Sequence, residues 1–182
     1  MLKIVKHILF VLLLTASLTG WAAEENKKNP SKTVTLTEAQ QRKFDYFFYE
    51  GLNLKAAGKY DAAYDAFIHS LSIDSTAAPV LYELSSFYLQ LNRPEKSVEM
   101  LKRAIANSRN NFTYRIALAS ITRNLGMYGE AAEEYETLVK DYPDKTELNY
   151  YLAESLAQQG EIQKAMDAYN ALESAMGMNE FI

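Results

Sequence analysis

Small, large and helix-breaking positions recur along this chain every 34 residues. Gly58, Asn92, Gly126 and Gly160 keep that spacing without a slip. So do the small residues Ala63, Ser97, Ala131 and Ala165, and the bulky residues Phe67, Leu101, Tyr135 and Tyr169. Each period reads as two helices joined by a tight turn. The pairs fall at 44–57 with 60–73, 78–91 with 94–107, 112–125 with 128–141, and 146–159 with 162–175. The first helix is expected to start earlier, near Glu38. Thr37 followed by Gln40 has capping-box spacing, and Thr35 with Glu38 offers the same device two residues before. Helix pairs of this length cannot bury an apolar face alone, so they stack into a solenoid in which each unit leans on its neighbours.

One backbone requirement explains the breaker positions. A helix that must stop and reverse commonly places its next residue in the left-handed conformation, which glycine adopts freely and asparagine next best. Pro94, two residues after Asn92, falls where a new helix starts and a missing N–H is harmless. The small and bulky positions are equally mechanical. A small residue on one helix opens a hole and a bulky one on its neighbour fills it, which fixes the crossing angle. Truncating a buried knob, as in Tyr135→Ala, is expected to cost about 3–5 kcal/mol.

These positions carry a resemblance. The chain resembles four tandem tetratricopeptide repeats, at 44–77, 78–111, 112–145 and 146–179, inside a domain spanning 37–182. The eighth position of each unit is small, here Gly51, Ser85, Ala119 and Ala153. The seventeenth, often tyrosine in the family, is Tyr60, Pro94, Tyr128 and Ile162; the proline that often closes a unit is matched by Pro143 alone. Glu50 departs from the pattern, since Leu84, Leu118 and Leu152 stand at its equivalents, and implies a partly exposed outer face for the first helix. The resemblance implies an all-α fold, a right-handed superhelical solenoid of helix–turn–helix units, whose concave groove is lined by the first helix of each pair.

Carried onto this sequence, the groove positions form three rows. The first is Phe48, Tyr82, Ile116 and Tyr150. The second is Leu52, Ser86, Ser120 and Glu154, and the third is Lys55, Leu89, Arg123 and Ala157. Aromatic side chains give large, stiff contact area and suit peptide or helix recognition; the competing reading is that such stripes pack between repeats. The candidate partner-binding residues are Phe48, Tyr82, Ile116, Tyr150, Leu89 and Arg123. The clamp for C-terminal carboxylates found in some members needs Lys and Asn at the first two rows. Phe48, Leu52, Tyr82 and Ser86 stand there instead, so the clamp is absent.

The N-terminus adds a compartment. Lys3, Lys6 and His7 precede the apolar run 8–14, and Gly20-Trp21-Ala22 places small side chains at −3 and −1 of a cut after Ala22, as in a secretory signal. The run is shorter than the roughly 20 residues that span a bilayer. Residues 1–22 are thus expected to be a cleaved signal peptide, and 23–36, polar and interrupted by Pro30, a linker. Cleavage removes Lys3 and Lys6 from 19 basic residues and leaves 17 against 23 acidic ones, a net charge of −6. An acidic domain without clustered cations is not suited to nucleic acid. With no cysteine, disulfides, thiolate metal sites and lipid attachment through cysteine are excluded.

Catalytic chemistry finds no support. His69 is the lone histidine after cleavage, no cluster has metal-ligand spacing, and Glu130, Glu133, Glu134 and Glu136 read as a solvated helix face. The expected protein is an exported, periplasmic or secreted adaptor that binds a protein or peptide, with no enzyme activity, no cofactor, no metal and no membrane contact after cleavage. The alternative is a structural segment, or the arm of a longer array. The last unit runs into 178–182 rather than into a polar capping helix, so its final face, around Tyr169, Leu172 and Met176, is expected to serve self-association in that reading.

Overall fold

In the computed structural model the described residues are 35–177. The expected signal peptide, all but the last two residues of the expected linker, and residues 178–182 lie outside them. Among the described residues there are eight helices and no strand. They are α1 (Glu38–Ala56), α2 (Tyr60–Ile73), α3 (Ala78–Gln90), α4 (Pro94–Asn107), α5 (Phe112–Asn124), α6 (Tyr128–Asp141), α7 (Glu147–Gln159) and α8 (Ile162–Ala175). Each packs chiefly against the helix before it and the helix after it. The fold is an all-α solenoid of helix–turn–helix units.

Local chemistry places the ends. Thr37 caps α1 in a reciprocal box: its side chain accepts from the Gln40 amide at 3.3 Å, and its own amide donates to the Gln40 side chain at 2.9 Å. Within each pair the turn is left-handed, with φ of +73° at Gly58, +55° at Asn92, +75° at Gly126 and +95° at Gly160. One hydrogen bond recurs at every turn. The amides of Lys59, Arg93, Met127 and Glu161 donate to the carbonyls of Leu54, Tyr88, Thr122 and Leu156 at 2.9, 2.8, 2.9 and 2.9 Å. This is the Schellman closure, which satisfies carbonyls that the helix end leaves unpaired. Pro94 opens α4 as expected.

The ladder of small and bulky residues is the core. Gly51, Ser85, Ala119 and Ala153 are buried, as are Ala63, Ser97, Ala131 and Ala165. Phe67, Leu101 and Tyr135 fill the holes between them and are at most 1% exposed. Tyr169, the fourth knob, remains 37% exposed because no described helix follows α8. That helix buries Ala165 and Ala168 and leaves Ile162 and Met166 exposed, and Met176, its C-cap, is exposed as well. The loops between pairs are tied as well: the Tyr142 hydroxyl donates to the Asn110 carbonyl at 3.0 Å, and its ring meets Phe112 edge to face.

Candidate partner-binding face

The helices α1, α3, α5 and α7 lie side by side, and their side chains join across them. Lys55 on α1 donates to Glu83 on α3 at 2.6 Å. Tyr82 on α3 meets Tyr114 on α5 with ring centroids 5.2 Å apart. Arg123 on α5 pairs with Glu154 on α7 and lies 5.1 Å from the centroid of the Tyr151 ring. The first helices therefore form one continuous surface, fixed by three cross-helix contacts of different chemistry.

The six candidate residues divide within this surface. Phe48 is half-buried, stacked on Phe44 at 6.0 Å and tilted against Phe67 at 6.2 Å, so it packs in the first apolar cluster. Ile116 is also half-buried and leans on the cluster shared by α5 to α8. Tyr82 is half-buried against Tyr114. Tyr150 and Leu89 are the open ones, 47% and 40% exposed. Tyr150 meets Tyr151 and Tyr169 edge to face.

Arg123 is the most constrained. Burial works against its charge, but Glu154 and Tyr135 beside it outweigh that and raise its pKa. Its Nε is buried without a hydrogen-bond partner. The guanidinium is thus held protonated and in place by an acid on the neighbouring helix and an aromatic face beneath it. Lys55 is likewise paired with an acid on the neighbouring helix, Glu83. The cations of the third row are both internally neutralised, so the surface offers aromatic and apolar contact rather than free positive charge.

Glu83, Tyr114 and Tyr151 are the contributors that the groove rows omit. Lys55 and Glu83 are 28 residues apart, and Arg123 and Glu154 are 31 apart. Opposite charges at such offsets on consecutive first helices are the available signal, and its meaning depends on how the helices stagger. His69 is exposed and stacks on Phe47 at 5.0 Å, which makes it a ring neighbour and not part of a polar cluster. Among the described residues no group of three or more His, Cys, Asp or Glu could hold a metal ion, and no helix is long and apolar enough to cross a membrane.

Comparison with known proteins gives the same architecture. Two family descriptions, both tetratricopeptide repeat, match residues 54–121 and 116–179. The chain is similar in structure to MamA, with 16% identity, 80% of each chain covered and a TM-score of 0.65. The MamA structure designated AMB-1 has 21% identity, covers 76% of this chain and 74% of that one, and has a TM-score of 0.65. YrrB, a tetratricopeptide repeat protein with an unusual peptide-binding site, has 17% identity, covers 76% of this chain and 75% of that one, and has a TM-score of 0.63. No curated protein matches the chain in sequence. At these identities the structural likeness carries the fold.

Proposed function

We infer that this chain, which belongs to the tetratricopeptide repeat family, is a protein-interaction module that holds a protein or peptide partner in its concave groove. The observation that carries the reading is the cross-tied face of α1, α3, α5 and α7. Lys55–Glu83 and Arg123–Glu154 fix that face before any partner arrives, and a surface already ordered loses little entropy on binding. Tyr150 and Leu89 stand out from it as exposed anchors. The mechanism is non-covalent, and the chain acts as an adaptor rather than an enzyme. The peptide-binding site ascribed to YrrB is in keeping with this reading. The work is done outside the cytoplasm, in the periplasm or beyond, after a cut following Ala22. A basic start, the apolar run 8–14 and the small residues at Gly20 and Ala22 support that placement.

The test is site-specific photocrosslinking in cells, with the reactive residue placed at Leu89, Tyr150 or, as a control, Met166. Capture of the same partner from Leu89 and Tyr150, but not from Met166, is the expected result. A Leu89→Ser, Tyr150→Ala variant with unchanged helicity should then lose that partner. Capture from Met166 alone, or a partner retained by the folded variant, would overturn the groove reading. A leader still attached in the mature protein, seen by mass spectrometry of the N-terminus, would overturn the export reading.

A second reading rests on α8. Ile162, Met166 and Met176 are each more than half exposed, and Tyr169 joins them at 37%. A second copy of this chain seated there would bury that row. Sedimentation velocity across a concentration series separates the two readings. Self-association abolished by Met166→Lys favours α8, and a concentration-independent monomer removes it.

A further inference from the structure

A cleft of 440 Å³ opens between the first turns of α2 and the end of α3, and none of the residues assigned to the groove lines it. Tyr60 and Tyr64 from α2 and Phe87 from α3 form its walls, with Leu91 beside them. The rings meet edge to face: Tyr60 and Phe87 at 6.4 Å and 69°, Tyr64 and Phe87 at 5.9 Å and 64°. This perpendicular setting does not close into a stack, and Tyr60 remains 50% exposed. The Tyr64 hydroxyl lies 3.4 Å from that of Tyr88 on α3, which fixes its ring from behind. That hydrogen bond, then burial, pushes the Tyr64 pKa up to about 12.

The same cleft is edged by two carboxylates. Asp61 lies in the first turn of α2 and Asp65 one turn on, so both face one side of the helix. Asp61 is also favoured there by the helix dipole; Asp65 has no such role. Neither forms an ion pair with a cation among the described residues, in contrast to Glu83, Glu130, Glu134 and Glu154. Arg93 is near enough for its charge to act on Tyr64 but pairs with neither aspartate. The fold already sets an ammonium over a ring next door, where Lys96 Nζ lies 5.7 Å from the centroid of Tyr88.

We propose that this cleft is a separate binding site that takes the cationic side chain of a lysine or arginine on a partner polypeptide. The aliphatic stem lies along the rings and the charged end meets Asp61 and Asp65. Both halves of the site are used by this one occupant, because such side chains combine an apolar stem with a charged tip and cations are attracted to aromatic faces. A neutral apolar group would leave the carboxylates unmatched, and an anion would be repelled by them. The volume exceeds one side chain and lies within the range of small binding sites, so neighbouring residues of the partner have room beside it.

The probe is the capped tripeptide Gly-Lys-Gly, with Gly-norleucine-Gly as its uncharged counterpart, titrated into the full domain while the aromatic ring resonances are followed by NMR. The lysine peptide is expected to move the resonances of Tyr60, Tyr64 and Phe87, and to bind several-fold tighter than the norleucine peptide. Asp61→Asn with Asp65→Asn should weaken it by roughly 2- to 30-fold, the range spanned by single cation–aromatic and charge contacts. Raised salt should weaken the lysine peptide on the unaltered protein in the same direction, a readout that does not depend on the variant folding. Equal binding of both peptides, or shifts that miss the three rings, would overturn the proposal. The groove reading survives that failure, since the two sites share no residue.

Discussion

A Cβ added to Gly51 would stand 2.8 Å from Phe67 Cε1 and 2.9 Å from Cδ1. Phe67 is fully buried and wedged between Phe48 and Phe87, so its ring has nowhere to swing. Gly51→Ala gains about 1 kcal/mol of helix propensity and loses about 1–3 kcal/mol to overpacking. A net destabilisation of about 1 kcal/mol is expected, read as a lower urea midpoint at unchanged slope, with Phe67→Leu relieving it. Ser97 presents the opposite case. It is fully buried with an unpartnered hydroxyl, where the other three units carry alanine; Ser97→Ala should raise stability by about 1 kcal/mol in the same assay. Tyr135, 1% exposed and stacked on Tyr151 at 5.6 Å, meets the burial condition for a loss of about 3–5 kcal/mol on Tyr135→Ala. Tyr169→Ala, at the same register but partly exposed, should cost about 1 kcal/mol. The alternation of holes and knobs was readable in the sequence because it is periodic. Which knob lacks a lid was not, because that depends on the neighbour and not on the residue.

Helix ends were legible to within one residue, from Thr37 with Gln40 at the start and from the left-handed turn at Asn92 as well as at the glycines. The reason is that caps and turns are local chemistry. Exposure along a first helix is less legible, since one stripe must serve both packing and recognition. Phe48 and Ile116 sink toward the clusters, whereas Tyr150 stands clear. Ion pairs between helices are the hardest to read. Glu134 on α6, which belonged to an apparently solvated acidic face, accepts from Arg115 on α5 at 3.3 Å. Burial raises the Glu134 pKa more than Arg115 lowers it. The unfolded carboxyl titrates near its usual value of about 4.3, and the folded one higher. Between the two values the folded state holds more protons, so stability falls as pH rises through that window. Glu134→Gln removes this slope. The stability of the variant relative to the unaltered protein should therefore climb from about pH 4 upward and then level off, as urea titrations at a series of pH values would record; a difference that stays flat with pH would refute it.

At the scale of the molecule, contacts run from each helix to the next, so stability is the sum of neighbouring interfaces rather than of one centre. α3 lies between covered sides and buries Val80, Leu81 and Leu84 completely, while α8 buries two alanines and α1 buries Gly51. Amide hydrogen exchange should follow that order, with α3 most protected and α8 and α1 opening first; a uniform profile would mean that the stack unfolds as one body. The repeat made this architecture readable. The contacts that distinguish one junction from the next were not readable, because they join residues whose alignment only the stack creates. Those differences have a consequence for how the chain reaches its fold. A repetitive polypeptide can pair one unit out of step, and such slipped forms are a common trap for repeat proteins. Shifted by 34 residues, Lys55 would meet Ala117 in place of Glu83, Phe67 would meet Ile121 in place of Phe87, and Tyr82 would meet Leu148 in place of Tyr114. The shared ladder lets any two units stack, and the unlike junctions favour the native neighbour over the slipped one.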